Sequence, residues 1–356
     1  MRRFIILALV AIVAVLAALP AAASAKVQLA GGSTTLTLAK GTAAALTANG
    51  ISVRPLRPAK VRGGGVAFPI TGGSIDPRSG AGAIAHSGGL VFRAGSTRVP
   101  LRSFRVHAGS RRAFLTARAG SARLTVLSLS LANAKVVRNG LGTTVKGVRA
   151  SLSGQAAKAL NAAFGTRLFS RGLPIGRVVV RAVPAQAELA GGDTILALDS
   201  GAGTALQSLG ITAAPIDPAS ATGAGLLFPI TGGKVNTATF AGSISHSGGL
   251  RLSRGSTVVD LASFTITVDA DPDLTALVGG SRVSILNLDL TQQARARRAL
   301  AVHQLDSQVS GRQITLSGAR ATLTAAAAAA LNQAFGTTAF TEGFLVGTAT
   351  VEAQAR

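Results

Sequence analysis

Two of the four histidines in the chain stand in the same five-residue sequence, and they are its best candidates for binding a ligand. The sequence HSGGL begins at His86 and again at His246. A neutral imidazole can coordinate a metal ion, and it can also orient another ligand through a hydrogen bond. The alternative role is structural, with the ring nitrogens bonded to the backbone of a turn formed by the following Ser-Gly-Gly. We take both histidines as candidate ligand-binding residues.

Other reactive side chains are not kept in both places. His107 is replaced by Thr267 and Asp76 by Asn236, while His303 lies in a stretch with no counterpart. The chain has no Cys, Tyr or Trp, and its single Met is the first residue, which excludes thiolate and thioether metal ligands. No carboxylate pair, metal-ligand spacing or Ser-His-Asp set recurs. We therefore predict a non-enzymatic protein without catalytic residues and without a metal site.

The histidine sequence belongs to a long internal repeat. The hexapeptide FPITGG begins at Phe68 and again at Phe228, with the same offset that separates the two histidines. Further along, the sequence LNAAFG that begins at Leu160 corresponds to LNQAFG beginning at Leu331, where the offset is larger. So long a period indicates two tandem domains, because solenoid repeats have periods of roughly 20 to 50 residues.

The repeat sets the predicted domain boundaries. We assign residues 26–183 to a first domain and residues 184–356 to a second, each large enough to enclose its own core. The change of offset requires an insertion in the second copy. We place it near 291–310, an Arg- and Gln-rich stretch that we expect to lie on the surface.

The segment 1–25 has the pattern of a secretory signal peptide. Two arginines precede an apolar run at 4–19, and small residues in A-x-A spacing follow at 23–25. We expect Lys26 to begin the mature chain, which would be secreted or held at the cell surface. The alternative, an uncleaved anchor, is not favoured because the run is shorter than the ~20 residues of a spanning helix. No stable membrane span is predicted after cleavage.

Positive charge is concentrated in the first copy. Residues 26–183 contain 24 Lys or Arg and one acid, whereas residues 184–356 contain 10 Lys or Arg and 12 acids. Arg98, Arg102 and Arg105 lie close together in a strand-like segment and are our candidate anion-binding residues. Such a field attracts envelope polymers, anionic lipid or nucleic acid; the alternative is a solvated surface of an arginine-biased chain. Nucleic acid is not favoured, because the chain is predicted to be exported and lacks Trp and Tyr for stacking.

The local patterns predict mostly strands. Apolar and polar residues alternate at 124–131 and at 285–290, as in an antiparallel sheet with one buried face. Each copy also has two helix signals. The first predicts helices at 42–48 and 203–208 that end at Gly50 and Gly210, and the second predicts helices that begin at Ser153 or Thr324 as N-cap. Both FPITGG and HSGGL predict strands that end in glycine turns, with the histidine at the rim of an apolar layer. The predicted fold class is β-rich α+β: two tandem homologous domains of mainly antiparallel sheet with short helices on one side.

The residues kept in both copies resemble the HtaA-type domain of actinobacterial haem-uptake proteins. The resemblance rests on FPITGG, HSGGL and their spacing, and on Ser103-Phe104, which recurs as Ser263-Phe264. It implies secreted or cell-surface β-rich modules that receive haem. In that family a tyrosine is the axial iron ligand and a histidine supports it, so His86 and His246 correspond to the supporting histidine. Because this chain has no tyrosine, the resemblance assigns the iron ligand to no residue here.

Two functional hypotheses follow. The first is an exported, non-enzymatic ligand-binding module, with haem or a related porphyrin as the leading ligand by resemblance, although the family's tyrosine is absent. Arginines of the first copy could then pair with the haem propionates. The alternative is a structural cell-envelope protein whose basic first domain binds anionic surface polymers. The expected partner is thus a small hydrophobic or anionic ligand such as haem, or an anionic envelope polymer.

Overall fold

The computed structural model describes residues 26–109, 112–290 and 312–356. The predicted signal peptide at 1–25 and the predicted insertion near 291–310 lie outside the described residues. Within the ranges that are described, no helix combines the length and the apolar character needed to cross a bilayer.

The first half of the chain folds into a twelve-stranded sheet and two helices. In chain order these are β1 (Val27–Leu38), α1 (Lys40–Ala48), β2 (Ser52–Leu56), β3 (Lys60–Arg62), β4 (Gly65–Ile75), β5 (Gly82–His86), β6 (Gly89–Ala94), β7 (Thr97–Ala108), β8 (Ala113–Ala119), β9 (Ala122–Ser130), β10 (Lys135–Asn139), β11 (Gly142–Leu152), α2 (Gly154–Phe164) and β12 (Pro174–Pro184).

The described residues of the second half form an eleven-stranded sheet and two helices. They are β13 (Gln186–Leu198), α3 (Ser200–Ser208), β14 (Thr212–Ile216), β15 (Ser220–Thr222), β16 (Gly225–Asn236), β17 (Gly242–His246), β18 (Gly249–Arg254), β19 (Thr257–Val268), β20 (Asp273–Val278), β21 (Ser281–Asp289), β22 (Gln313–Leu323), α4 (Ala325–Phe335) and β23 (Leu345–Ala355).

Each sheet is antiparallel and closes on itself. In the first half the order β7-β5-β4-β1-β12-β11-β9-β8 is completed by pairing of β8 with β7, so that eight strands form a ring. The second half repeats this ring as β19-β17-β16-β13-β23-β22-β21-β20, closed by pairing of β20 with β19. Alternating apolar side chains point into each ring and form its core. The predicted fold class is confirmed.

The chain does not turn after the histidine, so the turn predicted for Ser-Gly-Gly is wrong. β5 pairs with residues 105–108 of β7, and β6 pairs with residues 97–102 of the same strand in the same direction. The two are therefore one long strand with a kink between them. Gly88 at the kink has φ +82°, and a Cβ there would lie 2.6 Å from the backbone nitrogen of Ala59. The glycine is needed for close approach of two backbones.

The glycines of FPITGG also lie inside a strand and not in the predicted turn. The register between β4 and β5 shifts between Ile70 and Gly72, which marks a β-bulge. Gly73 has φ +114°, and a Cβ at this position would lie 2.1 Å from the backbone oxygen of Ala83. Only glycine can occupy it while β4 and β5 remain paired.

The helices form as the sequence predicts. Ser153 accepts a hydrogen bond at 3.0 Å from the backbone N–H three residues on, and Thr324 does the same at 3.1 Å, so that they begin α2 and α4. α1 and α3 start two or three residues earlier than the predicted 42–48 and 203–208. Each ring has its own hydrophobic core, and Leu141 of the first half also packs against the second core. The domain boundary between 183 and 184 falls at the end of β12 and remains a prediction.

Candidate ligand-binding sites

His86 lies inside the first closed sheet, on the same inward face of β5 as Ile84. Its Nδ1 lies 3.3 Å from the backbone oxygen of Phe104 in β7, and its Nε2 lies 2.7 Å from the hydroxyl oxygen of Thr34 in β1. The side chain is only 5% exposed. The imidazole is therefore buried and joins two strands, whereas the sequence predicted a position at the rim of the apolar layer.

The second half repeats this arrangement around His246. Its Nδ1 lies 3.2 Å from the backbone oxygen of Phe264, and its Nε2 lies 2.7 Å from the hydroxyl oxygen of Thr194. We call each set a His–Thr pair: His86 with Thr34, and His246 with Thr194. Both threonines are themselves buried. Burial of four polar side chains is tolerated because each hydrogen-bonds to a partner.

The hydrogen bonds define the protonation state of the imidazoles. A carbonyl oxygen can only accept, so Nδ1 carries the proton and donates it to the backbone of Phe104 or Phe264. Nε2 then accepts a hydrogen bond from the threonine hydroxyl. Burial lowers the pKa of His86 and of His246 from 6.5 to about 4, although the bond to the backbone carbonyl favours the charged ring. Both rings are neutral at physiological pH.

The residues at the His–Thr pairs do not fit a haem iron. A histidine ligates iron through a free lone pair, and the lone pair on Nε2 accepts the threonine hydroxyl in both halves. The side chain that the histidine supports is thus a threonine, where the resemblance implies a tyrosine. Among the described residues no group of three or more His, Asp or Glu side chains converges on a point that could hold a metal ion.

Aromatic contacts explain why other repeated residues are kept. Phe68 of FPITGG packs edge to face against Phe104, with ring centroids 5.0 Å apart. Phe228 and Phe264 pack in the same way at 4.9 Å. Edge-to-face pairs of buried rings stabilise a core. The repeated phenylalanines therefore hold together β4 and β7 in the first half, the strands on either side of the one that carries His86.

The unrepeated polar residues serve local structure. Asp76 Oδ1 accepts a hydrogen bond at 2.8 Å from the backbone N–H two residues on, and Asn236 Oδ1 does the same in the second half. Both residues can form this turn, which accounts for the exchange of one for the other. His107 stacks on Phe114 with ring centroids 4.8 Å apart. His303 lies outside the described residues.

The first half carries a row of exposed arginines on the outward face of β2, β6, β7, β8 and β9. We call this row the arginine face; it consists of Arg54, Arg93, Arg98, Arg102, Arg105, Arg118 and Arg123. The predicted residues Arg98, Arg102 and Arg105 all belong to it. In the described part of the chain none of the seven forms an ion pair.

The strand registers place several of these arginines directly opposite one another. Arg93 faces Arg98 across β6 and β7, and Arg118 stands between Arg102 and Arg123 across β7, β8 and β9. Like charges in direct cross-strand positions destabilise a sheet. Desolvation of its guanidinium, followed by repulsion from Arg105 and Arg118, lowers the pKa of Arg123.

The second half has lost almost all of this charge. The equivalent positions carry Ala214, Ser253, Val258, Ala262, Thr265, Leu277 and Arg282. Arg282 is kept because its Nη1 donates to the backbone oxygen of Ser263, as Arg123 does to Ser103. Both serines have φ +51° at a β-bulge, so this one arginine has a structural role. Elsewhere on the second sheet Arg251 pairs with Asp260 at 2.7 Å.

Sequence reasoning missed some of the residues that complete these sites. Thr34 and Thr194 lie far from their histidines in the chain, but they share the offset of the two histidines and could have been found by extending the internal comparison. Arg118 and Arg123 lie on other strands from the predicted arginines. They join the arginine face only through the pairing of β7, β8 and β9, which the sequence does not encode locally.

Comparison with known proteins found similarity only among solved structures. No protein-family model and no curated protein matches the chain. The C-terminal domain of HtaA from Corynebacterium glutamicum is 13% identical, with a TM-score of 0.36, and the match covers 44% of this chain and 98% of that one. The N-terminal domain of HtaA from the same organism is 14% identical, with a TM-score of 0.33, covering 47% and 98%.

A third match is described as heme binding protein HtaB from Corynebacterium glutamicum. It is 12% identical, with a TM-score of 0.28, and the match covers 48% of this chain and 96% of that one. The family named from the sequence is the one to which these solved structures belong. At these TM-scores and identities the matches carry no argument about function.

Proposed function

We propose that the chain is an exported, non-enzymatic binding protein of two HtaA-type domains, and that its first domain holds an anionic partner on the arginine face. The observation that carries the proposal is the row of seven exposed arginines without an ion pair among the described residues. Arginine presents a planar set of N–H donors that matches carboxylate and phosphate groups. A bound anion would relieve the repulsion between arginines that face each other across the strands.

The shape of the face favours an extended partner. The arginines follow one another across five strands of the sheet and do not converge on a pocket. A polymer with repeated phosphate or carboxylate groups can contact several of them at once. For an exported chain such a partner is an anionic polymer of the cell envelope. Nucleic acid is not favoured, since the chain has no Trp or Tyr on which bases could stack.

The test compares two variants that lose the same number of charges. In the chain from residue 26, Arg98→Val/Arg102→Ala/Arg105→Thr introduces the residues of the second half into the arginine face. The control, Arg149→Gln/Arg177→Gln/Arg181→Gln, removes three arginines from β11 and β12. Binding to polyphosphate and to polyglutamate is measured over a range of salt concentrations. We expect the first variant to lose at least about ten-fold in affinity, because charged hydrogen bonds are lost, and the control to lose little.

Two results would contradict this function. Equal losses in both variants would mean that the polyanions respond to overall charge and not to the arginine face. Absence of binding to either polymer at low salt would remove anionic polymers as partners. A preference for polyphosphate over polyglutamate, or the reverse, would identify the chemical group that the face recognises.

Haem or a related porphyrin is the second candidate. The observation that favours it is the repeated His–Thr pair, whose histidine corresponds to the supporting histidine that the resemblance implies. With Nε2 occupied by threonine, a porphyrin would be held by apolar contacts and by pairing of its propionates with arginines, without an iron bond to these imidazoles. Haem and metal-free protoporphyrin should then bind with similar affinity.

Absorbance titrations with both porphyrins test this candidate. Saturable binding of both, unchanged in His86→Ala/His246→Ala, supports a porphyrin held by the surrounding side chains. A Soret shift with haem alone that is lost in the double variant would show that an imidazole leaves its threonine to ligate iron. If neither porphyrin binds saturably, haem is not the ligand.

A further inference from the structure

The second closed sheet encloses space that its own side chains do not fill. Its cavity measures about 300 Å³, whereas the cavity at the equivalent place in the first sheet measures about 70 Å³. We propose that the second domain binds a fatty acid or a similar single-chain amphiphile, whose hydrocarbon chain occupies this cavity. This site is separate from the arginine face and independent of haem.

A few substitutions between the halves explain the difference in volume. Smaller side chains stand at five wall positions of the second half: Ala202 for Thr42, Ala213 for Val53, Leu252 for Phe92, Val346 for Ile175 and Ala349 for Val178. Ala213 and Leu252 are a cross-strand pair, as are their counterparts in the first half. In the other direction, Ile285 stands in place of Val126, Val278 in place of Ala119 and Phe344 in place of Leu173. The strands pair in the same way in both halves, and the smaller side chains of the second half leave the larger cavity.

The wall of this cavity has the chemistry of a hydrocarbon site. Among the described residues that line it, Thr194 has the only polar side chain, and its hydroxyl donates to Nε2 of His246. No group remains to bind a sugar, a nucleotide or an ion inside. Large apolar cavities stay dry, and one of about 150 Å³ is enough to bind benzene. A cavity of twice that volume suits an aliphatic chain.

The cavity reaches the surface where the helices cover the sheet. Leu198, at the end of β13, lines the cavity and is 40% exposed. Leu206 of α3 and Leu331 of α4 also line it and are half-buried, while their counterparts in the first half are buried. The helices therefore seal the second sheet less tightly than the first. An opening to solvent favours a ligand with one polar end over a pure hydrocarbon.

A cation stands at the end of α4, one of the helices that line the cavity. Arg254 donates a hydrogen bond to the backbone oxygen of Phe335 at the end of α4, and its guanidinium lies 5.8 Å from the Phe335 ring centroid. The preceding residue, Ala334, lines the cavity. The guanidinium has further N–H groups with which it can meet a carboxylate. The equivalent residue of the first half is Ala94. A carboxylate head and an alkyl tail thus match the two ends of this site.

The experiment uses the chain from residue 26 and the fluorescent fatty acid cis-parinaric acid, with lauric acid and dodecanol as competitors. Ala213→Val/Leu252→Phe restores the cross-strand pair of the first half and fills the cavity. We expect its affinity for the probe to fall about ten-fold or more, because each methylene of the probe that no longer fits in the cavity lowers the affinity roughly four-fold. The matched control, Ala214→Val, adds the same group to the neighbouring residue of β14 and should bind as the unchanged chain does.

Further variants keep the result decisive. Arg254→Ala should lower the affinity for lauric acid and leave the affinity for dodecanol unchanged, because only the acid carries a carboxylate. If the double variant fails to fold, Ala349→Val fills the cavity from β23 and serves in its place. No saturable fluorescence with the unchanged chain would overturn the proposal. Equal affinity of the filled and unfilled variants would also do so, because it would place the probe outside the cavity.

Discussion

At the scale of single residues, the His–Thr pair is a buried polar unit that connects non-neighbouring strands. Each imidazole uses both nitrogens, one toward a backbone carbonyl and one toward a threonine hydroxyl. The inward direction of His86 was predictable, because it follows Ile84 by two residues in a strand. Its partner was not predictable from local pattern, because Thr34 meets it only once β1 and β5 have both paired with β4.

The threonine of this pair should contribute measurably to stability. Thr194→Val keeps the shape of the side chain but leaves Nε2 of His246 buried without a donor. An unsatisfied buried acceptor costs about 1–3 kcal/mol, so the free energy of unfolding of the second domain should fall by that amount. Urea denaturation measures the change. Thr194→Ser, which keeps the hydroxyl, is the control, and equal stability of the two variants would contradict the assigned hydrogen bond.

The buried histidines also predict a pH dependence. Their pKa is about 4 in the folded chain and 6.5 in the unfolded chain, so the unfolded state binds more protons between these values. Their stabilisation is complete above pH 6.5 and is lost as the pH falls toward 4. Between pH 7 and pH 5 each histidine should account for a loss of about 2 kcal/mol in the free energy of unfolding. Urea midpoints at both pH values test this, and His86→Gln/His246→Gln should flatten the difference.

At the scale of elements, the repeated glycines join strands and do not end them. The sequence predicted the strands correctly from their alternation, but it predicted turns where the chain continues through a bulge or a kink. Glycine marks both situations, since each requires positive φ or close backbone approach. Only the pairing partners distinguish them: β5 and β6 lie along the same strand, β7. The N-caps of α2 and α4 depend on adjacent residues, and the sequence predicted those correctly.

The kink glycine of the second half should tolerate no side chain. In Gly248→Ala a Cβ would lie 2.5 Å from the backbone nitrogen of Ala219 at φ +79°. We expect the free energy of unfolding of the second domain to fall by about 3 kcal/mol or more, because backbone strain and overpacking act together. Gly255→Ala is the control, because it has φ +56° but nothing within 4 Å, and should cost about 1 kcal/mol. Denaturant unfolding compares the two variants. Similar losses of unfolding free energy would mean that backbone strain alone, and not the contact with Ala219, determines the cost.

At the scale of the whole molecule, the two halves share one strand topology but differ in surface charge and in internal cavity volume. The first half concentrates charge on its outer face, while the second half lacks that charge and encloses the larger cavity. The charge asymmetry was predictable, because it is a property of composition. Closure of the sheets and the cavity were not, because both depend on which strands meet and on how side chains fill the space between them.

Separate cores predict separate folding units. The two hydrophobic clusters share no buried residue, and among the described hydrophobic residues of the first half Leu141 is the one that packs against the second cluster. A fragment of residues 185–356 should therefore fold alone, with antiparallel-sheet circular dichroism and a cooperative urea transition. Leu141→Ala in the full chain should change the second transition only slightly. A fragment without a cooperative transition would instead mean that the two halves form one folding unit.

The register that sets Arg93 against Arg98, and Arg118 between Arg102 and Arg123, ties the thermal stability of the first half to its counterions. Any anion that binds the folded form alone raises its melting temperature by mass action. In dilute buffer the first half should melt before the second, whereas with the sites occupied the order should reverse. A calorimetric scan would then report occupancy of this surface without any label on the partner.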